Sequence, residues 1–279
     1  VRQIELDSYD ASYLGGQRQR YRYYGWERAG IDVVFHLNHK NIQHDLAGQE
    51  KPSITVEPMP AETEMIAAAK ALHDQQLMYC VRASERFNHF IRNSRVRPHV
   101  ARNRDGRIVG YLVADTQGAE VRELVAVDPD TGMQMVRLWI KSLRDGARFK
   151  FSSLPSVLAR RLGQIAERTD VVSPGNWQVF NWPRTVDALL RQRYKAMPLP
   201  TGSVVIRINK ASIRMTVDGE SATCVKTDEQ PHIETDPCTA VRLLFGPMPP
   251  SGVLTIPRTA AILEAWCPLP LSIPNQDRI

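Results

Sequence analysis

The 279-residue sequence predicts an α+β protein with its strands in mixed sheets. Three features carry that expectation. VARNRDGRIVGYLVAD (residues 100–115) sets Asp105-Gly106 between two alternating runs, which is a hairpin signal. Amphipathic helical stretches interleave with short β-branched runs up to Pro174. From Gly175 onward, one helical stretch precedes three consecutive strand-like runs.

The first segment spans residues 1–48. IDVVFHLN (residues 31–38) is rich in β-branched and apolar residues and reads as a strand. Before it, RQRYRYYGWERAG reads as a short helix or turn ending near Gly25, with a break at Gly30. So few elements cannot bury a core alone. This segment therefore either docks on the downstream chain or closes a larger domain.

The second segment spans residues 49–174. After KPSITVEPMP, the recurrence of Met65, Ala69, Leu72, Leu77 and Val81 predicts one helix. The hairpin comes next, then a strand in EVRELVAVD (residues 120–128). GMQMVRLWIKSLRDG puts Met135, Leu138, Trp139 and Leu143 on one helical face. Val157, Leu158, Leu162 and Ile165 mark another amphipathic helix over about residues 154–169.

The third segment spans residues 175–279. A helix begins at Pro183, where the missing N–H is not needed. SVVIRINK, SIRMTVDG and ESATCVKT read as strands. Asp236 is placed to cap a short helix that Gly246 stops, and TAAILEAWCPL reads as a last helix. The tail PLSIPNQDRI is extended and broken by proline.

Composition excludes several classes. A hydrophobic fraction of 43% with 24% charged residues is that of a soluble globular chain. No apolar run approaches the length of a transmembrane helix, and VRQIELDSYDASY lacks the apolar core of a secretion signal, so a cytoplasmic protein without a membrane partner is expected. Cys80, Cys224, Cys238 and Cys267 are scattered, which suits reduced structural thiols better than a disulfide framework or a zinc site. A net charge of +6 permits an anionic partner without naming one.

The run LGGQRQRYRYYGWERAG (residues 14–30), with a strand after it, resembles the way a GNAT acyltransferase domain closes. The order of elements over nearly the whole chain resembles one branch, the enhanced-intracellular-survival (Eis) family. That resemblance implies the end of a first GNAT domain (residues 1–48), a second, non-catalytic GNAT-like domain (49–174) and a small sterol-carrier-protein-like domain (175–279). It also implies an acetyl-CoA-dependent N-acetyltransferase that acts on a primary amine by direct attack, acetyl-CoA being the co-substrate, and a homo-oligomer.

One departure bears on activity. GNAT enzymes hold the CoA pyrophosphate on a Gln/Arg-x-x-Gly-x-Gly/Ala loop opening a helix, where free N–H groups face the phosphates. The matching place here, VAVDPDTGMQMV (residues 125–136), has Gly132 as its one glycine and carries Asp128 and Asp130. It reads as an ordinary strand-to-helix turn, and the resemblance puts the phosphate loop before Val1.

The resemblance assigns two catalytic residues. Tyr21 takes the position of the tyrosine that protonates the departing CoA thiolate, a proton a phenol of pKa near 10 still holds at neutral pH. The terminal carboxylate of Ile279 takes the position of the base, or anchor, for the attacking amine, although the family's last residue is aromatic. The bland readings are an aromatic in a Tyr-rich turn and a frayed chain end.

Other residues admit other classes. Arg18, Arg20 and Arg22 interleave with Tyr21, Tyr23 and Tyr24, as on a surface for single-stranded nucleic acid, but a solvated helix face explains them more cheaply. His36, His39 and His44 lack a ligand set and read as loop histidines, so no metal is expected. Trp139, Trp177, Trp182 and Trp266 read as packing residues. A non-catalytic ligand- or partner-binding protein is the alternative to an enzyme.

Overall fold

The structure, a computed structural model, describes residues 7–45, 52–93, 95–274 and 277. The chain divides into two compact units. Unit 1 holds the described parts of Val1–Asp32, Ser152–Leu154 and Val171–Ser272; unit 2 holds the described parts of Val33–Phe151, Pro155–Asp170 and Ile273–Ile279.

Unit 2 is built on a seven-stranded mixed sheet. Its strands are β3 (Asp32–Leu37), β4 (Ile54–Pro58), β5 (Val96–Asn103), β6 (Ile108–Asp115), β7 (Glu120–Ala126), β8 (Ala147–Ser152) and β9 (Arg168–Val172). They lie in the order β4-β5-β6-β7-β8-β3-β9. β4 to β7 pair antiparallel, and β7 runs parallel to β8 with Val121 opposite Phe149. Both faces of β6 are covered. Tyr111 and Val113 join Phe87, Ile91 and Leu72 on one side; Leu112 and Ala114 join Met135, Val136 and Ile140 on the other. That double burial explains why IVGYLVAD is apolar nearly throughout instead of alternating with polar residues.

The β5–β6 hairpin forms as the sequence predicts, but its turn differs. Only Gly106 has a positive φ, 77°, so this is not the two-residue turn with both central residues left-handed. Asn103 closes the loop by accepting from the N–H groups of Asp105 (3.1 Å) and Arg107 (2.9 Å). Other elements depart from expectation too. The helix through Met65 ends at Asp74, leaving Leu77 and Val81 exposed, because the chain turns where His73 Nε2 meets the Cys80 carbonyl at 2.9 Å. A second helix, Ser84–Ile91, follows and buries Phe87 and Ile91 one turn apart. The helix through Leu162 ends at Ile165, since the Glu167 N–H goes to the His36 carbonyl and the residues beyond form β9.

Unit 1 contains two sheets. β11 (Gly202–Ile208), β12 (Ala211–Val217), β13 (Ala222–Thr227) and β14 (Ile233–Thr235) form one, in the order β13-β12-β11-β14 with β14 parallel to β11. The helix Trp182–Ala196 packs on β12 and β13, and Asp187 accepts the Cys224 N–H at 2.8 Å. The other sheet sets β10 (Gly175–Val179) between β1 (Ala11–Leu14) and β2 (Glu27–Ala29), antiparallel to both. The helix Pro237–Phe245 lies on β2 and β10, capped by Asp236 as its sequence predicts. The expected last helix shrinks to Leu263–Trp266.

Two strands pair outside their own sequence segments. β3, from the first segment, sits between β8 and β9, while β10 sits between β1 and β2. Two residues join the strands at each crossing, Gly30 and Ile31 in one case and Ser173 and Pro174 in the other. Among the described residues no helix is long and apolar enough to cross a membrane.

Candidate active site

Tyr21 lies on α1 (Arg18–Arg22), the single short helix between β1 and β2. Its carbonyl accepts from the N–H groups of Tyr24 (3.0 Å) and Trp26 (3.2 Å), which closes the helix and turns the chain into β2. Its ring is half-buried and lies over Gly16, whose φ of +105° only glycine adopts readily. A β-carbon on Gly16 would stand 2.9 Å from Tyr21 Cε2, so the LGG turn is shaped to the ring. Asn176 on β10, fully buried, locks the same turn by donating to the Leu14 carbonyl at 3.2 Å and the Gly16 carbonyl at 3.1 Å. The Tyr21 hydroxyl makes no hydrogen bond to another described residue.

The arginines of α1 divide by helical position. Arg18 and Arg22, one turn apart, both face Glu27 on β2. Arg18 grips the carboxylate with two N–H groups, Nη2 at 2.7 Å from Oε2 and Nε on Oε1, and Arg22 Nε stands 3.3 Å from Oε2. The Arg28 N–H adds a bond of 2.7 Å. Burial would raise the Glu27 pKa, but these donors and charges outweigh it and hold the carboxyl below its ordinary value. Arg20 instead lies beside the Tyr21 ring, 5.9 Å from its centre. Two of the three arginines that could have formed a nucleic-acid surface are therefore committed to Glu27. Tyr23 and Tyr24 remain exposed, edge to face at 5.1 Å.

Residues 125–136, read from the sequence as an ordinary strand-to-helix turn, are one in the structure. Asp128 caps the helix α5 (Pro129–Ser142; α2 to α4 being His39–Asp45, Thr63–Asp74 and Ser84–Ile91), accepting from the Thr131 N–H and hydroxyl at 2.8 Å each. Asp130 pairs with Arg161. A β-carbon on Gly132 would stand 2.7 Å from Leu158 Cδ2, so this glycine serves helix packing. An anion here would compete with Asp128 for the same N–H groups. These residues do not fit a pyrophosphate.

Ile279 lies outside the described residues. His36 Nε2 meets Asp170 at 2.9 Å and His39 Nε2 meets the Leu143 carbonyl at 2.7 Å, on a helix where the sequence suggests a loop. Among the described residues no three His, Cys, Asp or Glu side chains come together as a metal site. The four thiols are free; burial pushes those of Cys80, Cys224 and Cys267 up to about 12. Trp139 and Trp266 are packing residues with satisfied indole N–H groups, bonded at 2.9 Å to the carbonyls of Gly118 and Pro200.

Sequence reading missed Glu27 as the partner of the α1 arginines, although a glutamate three residues before Gly30 in a short strand hints at it. It also missed a buried polar cluster in unit 2, formed by His73, Arg82, Tyr111 and Glu123. Glu123, an acidic residue followed directly by the apolar Leu124, Val125 and Ala126, was the available signal.

No family model and no curated protein matches the sequence. Solved structures do. A GCN5-related N-acetyltransferase from Anabaena variabilis ATCC 29413 superposes with a TM-score of 0.62 at 16% identity, over 98% of this chain and 73% of that one. One from Kribbella flavida gives 0.59 at 15%, over 95% and 69%. Eis1 from Mycobacterium abscessus gives 0.54 at 16%, over 98% and 74%. At such identities the likeness speaks for the fold alone, and that fold is the one shared by the GCN5-related N-acetyltransferases.

Proposed function

We propose that this chain works in an acetyl-CoA-dependent N-acetyltransferase of Eis type, acting on a primary amine. Residues 1–48 would close a first GNAT domain, 49–174 form a second, and 175–279 form the sterol-carrier-like domain. The amine nitrogen attacks the thioester carbonyl directly, the C–S bond breaks, and the thiolate leaves. Tyr21 gives the thiolate its proton, and the Ile279 carboxylate takes one from the amine. Homo-oligomeric, cytoplasmic enzymes are the setting this reading implies.

The observation that best supports it is the shape of the LGG turn around Tyr21: a left-handed Gly16 beneath the ring, held by Asn176. That arrangement fixes the phenol while leaving its hydroxyl free of other described residues. In a full-length, acetylating protein, Tyr21→Phe should lower kcat roughly 10²-fold with little change in the amine KM. Undiminished turnover would remove Tyr21 from the mechanism.

The Asp128-capped turn favours a second reading for the chain by itself, that of a domain pair without its own cofactor site. Titration calorimetry of the 279-residue chain with acetyl-CoA should then give weak or no binding. A Kd in the low micromolar range, about −7 to −8 kcal/mol, would place a phosphate site where none has been identified.

A further inference from the structure

Arg82 is 2% exposed, although its neighbours Val81 and Ala83 to Arg86 are exposed. One residue turns inward from a surface stretch. Its guanidinium passes beside the rings of Phe87 and Phe90, at 5.8 and 6.0 Å, and meets two carboxylates. Glu123 on β7 takes Nη1 at 3.1 Å and Nη2 at 2.7 Å. Asp277 takes Nε and Nη2, each at 2.8 Å. Tyr111 also donates to Glu123, and His73 joins Tyr111 at 3.1 Å.

Charge balance does not require Asp277. Arg82 and Glu123 already neutralise one another, so the second carboxylate is there for geometry. Without it, Nε–H and one Nη2–H would be buried and unpaired, and such donors are costly. The edge formed by Nε and Nη2 is the planar fork that matches a carboxylate with two parallel bonds. The occupant comes from the chain end, which leaves unit 1 after Ser272, where Ser272 Oγ donates to Asp32 at 2.8 Å, and belongs to unit 2 from Ile273.

We propose that Arg82, backed by Glu123, is a carboxylate-binding seat filled in cis by Asp277, which latches the C-terminal segment onto unit 2. The seat recognises a carboxylate as such, and a small free carboxylate can replace the Asp277 side chain. Asp277 lies two residues before Ile279, so the latch also restrains the residue to which the proposed function gives the base, but its readouts below do not depend on acetyl transfer.

The test uses the whole chain, with melting temperature and hydrogen exchange of the C-terminal peptide as readouts. Asp277→Gly empties the seat and should lower Tm by roughly 5–10 °C. Exchange in the end peptide should rise about tenfold, the signature of a detached segment. Added formate should restore both, and sodium chloride at equal ionic strength should not, which separates occupancy from screening. Arg82→Gln combined with Asp277→Gly should abolish the formate response. Should that protein not fold, Arg82→Lys serves instead, because one ammonium cannot present the fork, and its end peptide should exchange faster than wild type. Wild-type behaviour of Asp277→Gly or Arg82→Lys, or rescue by chloride as strong as by formate, overturns the proposal.

Discussion

Gly16 and Tyr21 depend on each other through backbone geometry. Gly16 holds a φ of +105°, and its α-carbon is covered by the Tyr21 ring. Gly16→Ala forces a side chain into left-handed backbone, which costs about 1–2 kcal/mol, and presses a methyl group into the ring. We expect a lower urea midpoint at unchanged m, together with a displaced Tyr21 resonance in NMR. An unshifted midpoint would mean the turn relaxes freely. The buried carboxylates set a second expectation. Glu123 is held at about 2, against an ordinary glutamate value of 4.5, because hydrogen bonds from His73, Arg82 and Tyr111 and the charge of Arg82 outweigh the burial that would raise it. Glu27 is lowered in the same sense. A depressed folded value means the stabilisation is complete above about pH 4.5 and drains away as pH falls towards about 2. Melting curves across that window should show Tm falling steeply, and Glu123→Gln should flatten the slope; an equal slope in that variant would assign the acid sensitivity elsewhere.

Each helix is decided at its ends as much as by its periodicity. Asp128 and Asp236 stand where capping chemistry predicts, and both accept N–H groups of their helices' first turns. Asp128→Ala should destabilise unit 2 by about 1 kcal/mol, read from chemical denaturation. It should not create acetyl-CoA binding, since Gly132 remains packed on Leu158 and Asp130 remains nearby. Tight binding in that variant would show the turn to be a phosphate site masked by its cap. Periodicity alone misplaced two helix ends. Leu77 and Val81 continue the apolar spacing of Met65 and Leu72, yet they are exposed beyond the end of α3. Thr169 continues a helical stretch in sequence and lies in β9. In both places a bond outside the helix, His73 to Cys80 or Glu167 to His36, redirects the chain.

At the level of the molecule the dominant fact is that strands pair outside their own sequence segments. β3 belongs by sequence to the first segment and by pairing to the sheet of the second, between β8 and β9. A chain starting at residue 49 loses β3 and leaves β8 and β9 as unpaired neighbours, each an open edge. We expect such a protein to be insoluble or to lack a cooperative thermal transition by circular dichroism. Sharp melting near the intact chain's Tm would show that β3 is dispensable.

The hairpin at Asp105-Gly106, the strand through Phe35, the capped helices and the mixed α+β class were legible in the residues, because turn chemistry, β-branched runs and caps act over a few positions. Tyr21 was singled out through its motif, while the left-handed Gly16 under its ring came only from the structure. The partners of these residues were not legible. Nothing in the spacing of Arg18, Arg22 and Glu27 specifies one ion cluster, and nothing local joins Arg82 to Asp277 across most of the chain. Nor does any short run show that β3 pairs between β8 and β9, or β10 between β1 and β2. Burial decides these pairings: charges and strand edges removed from water must find partners wherever the packed chain supplies them, and that supply exists only once the tertiary structure has formed.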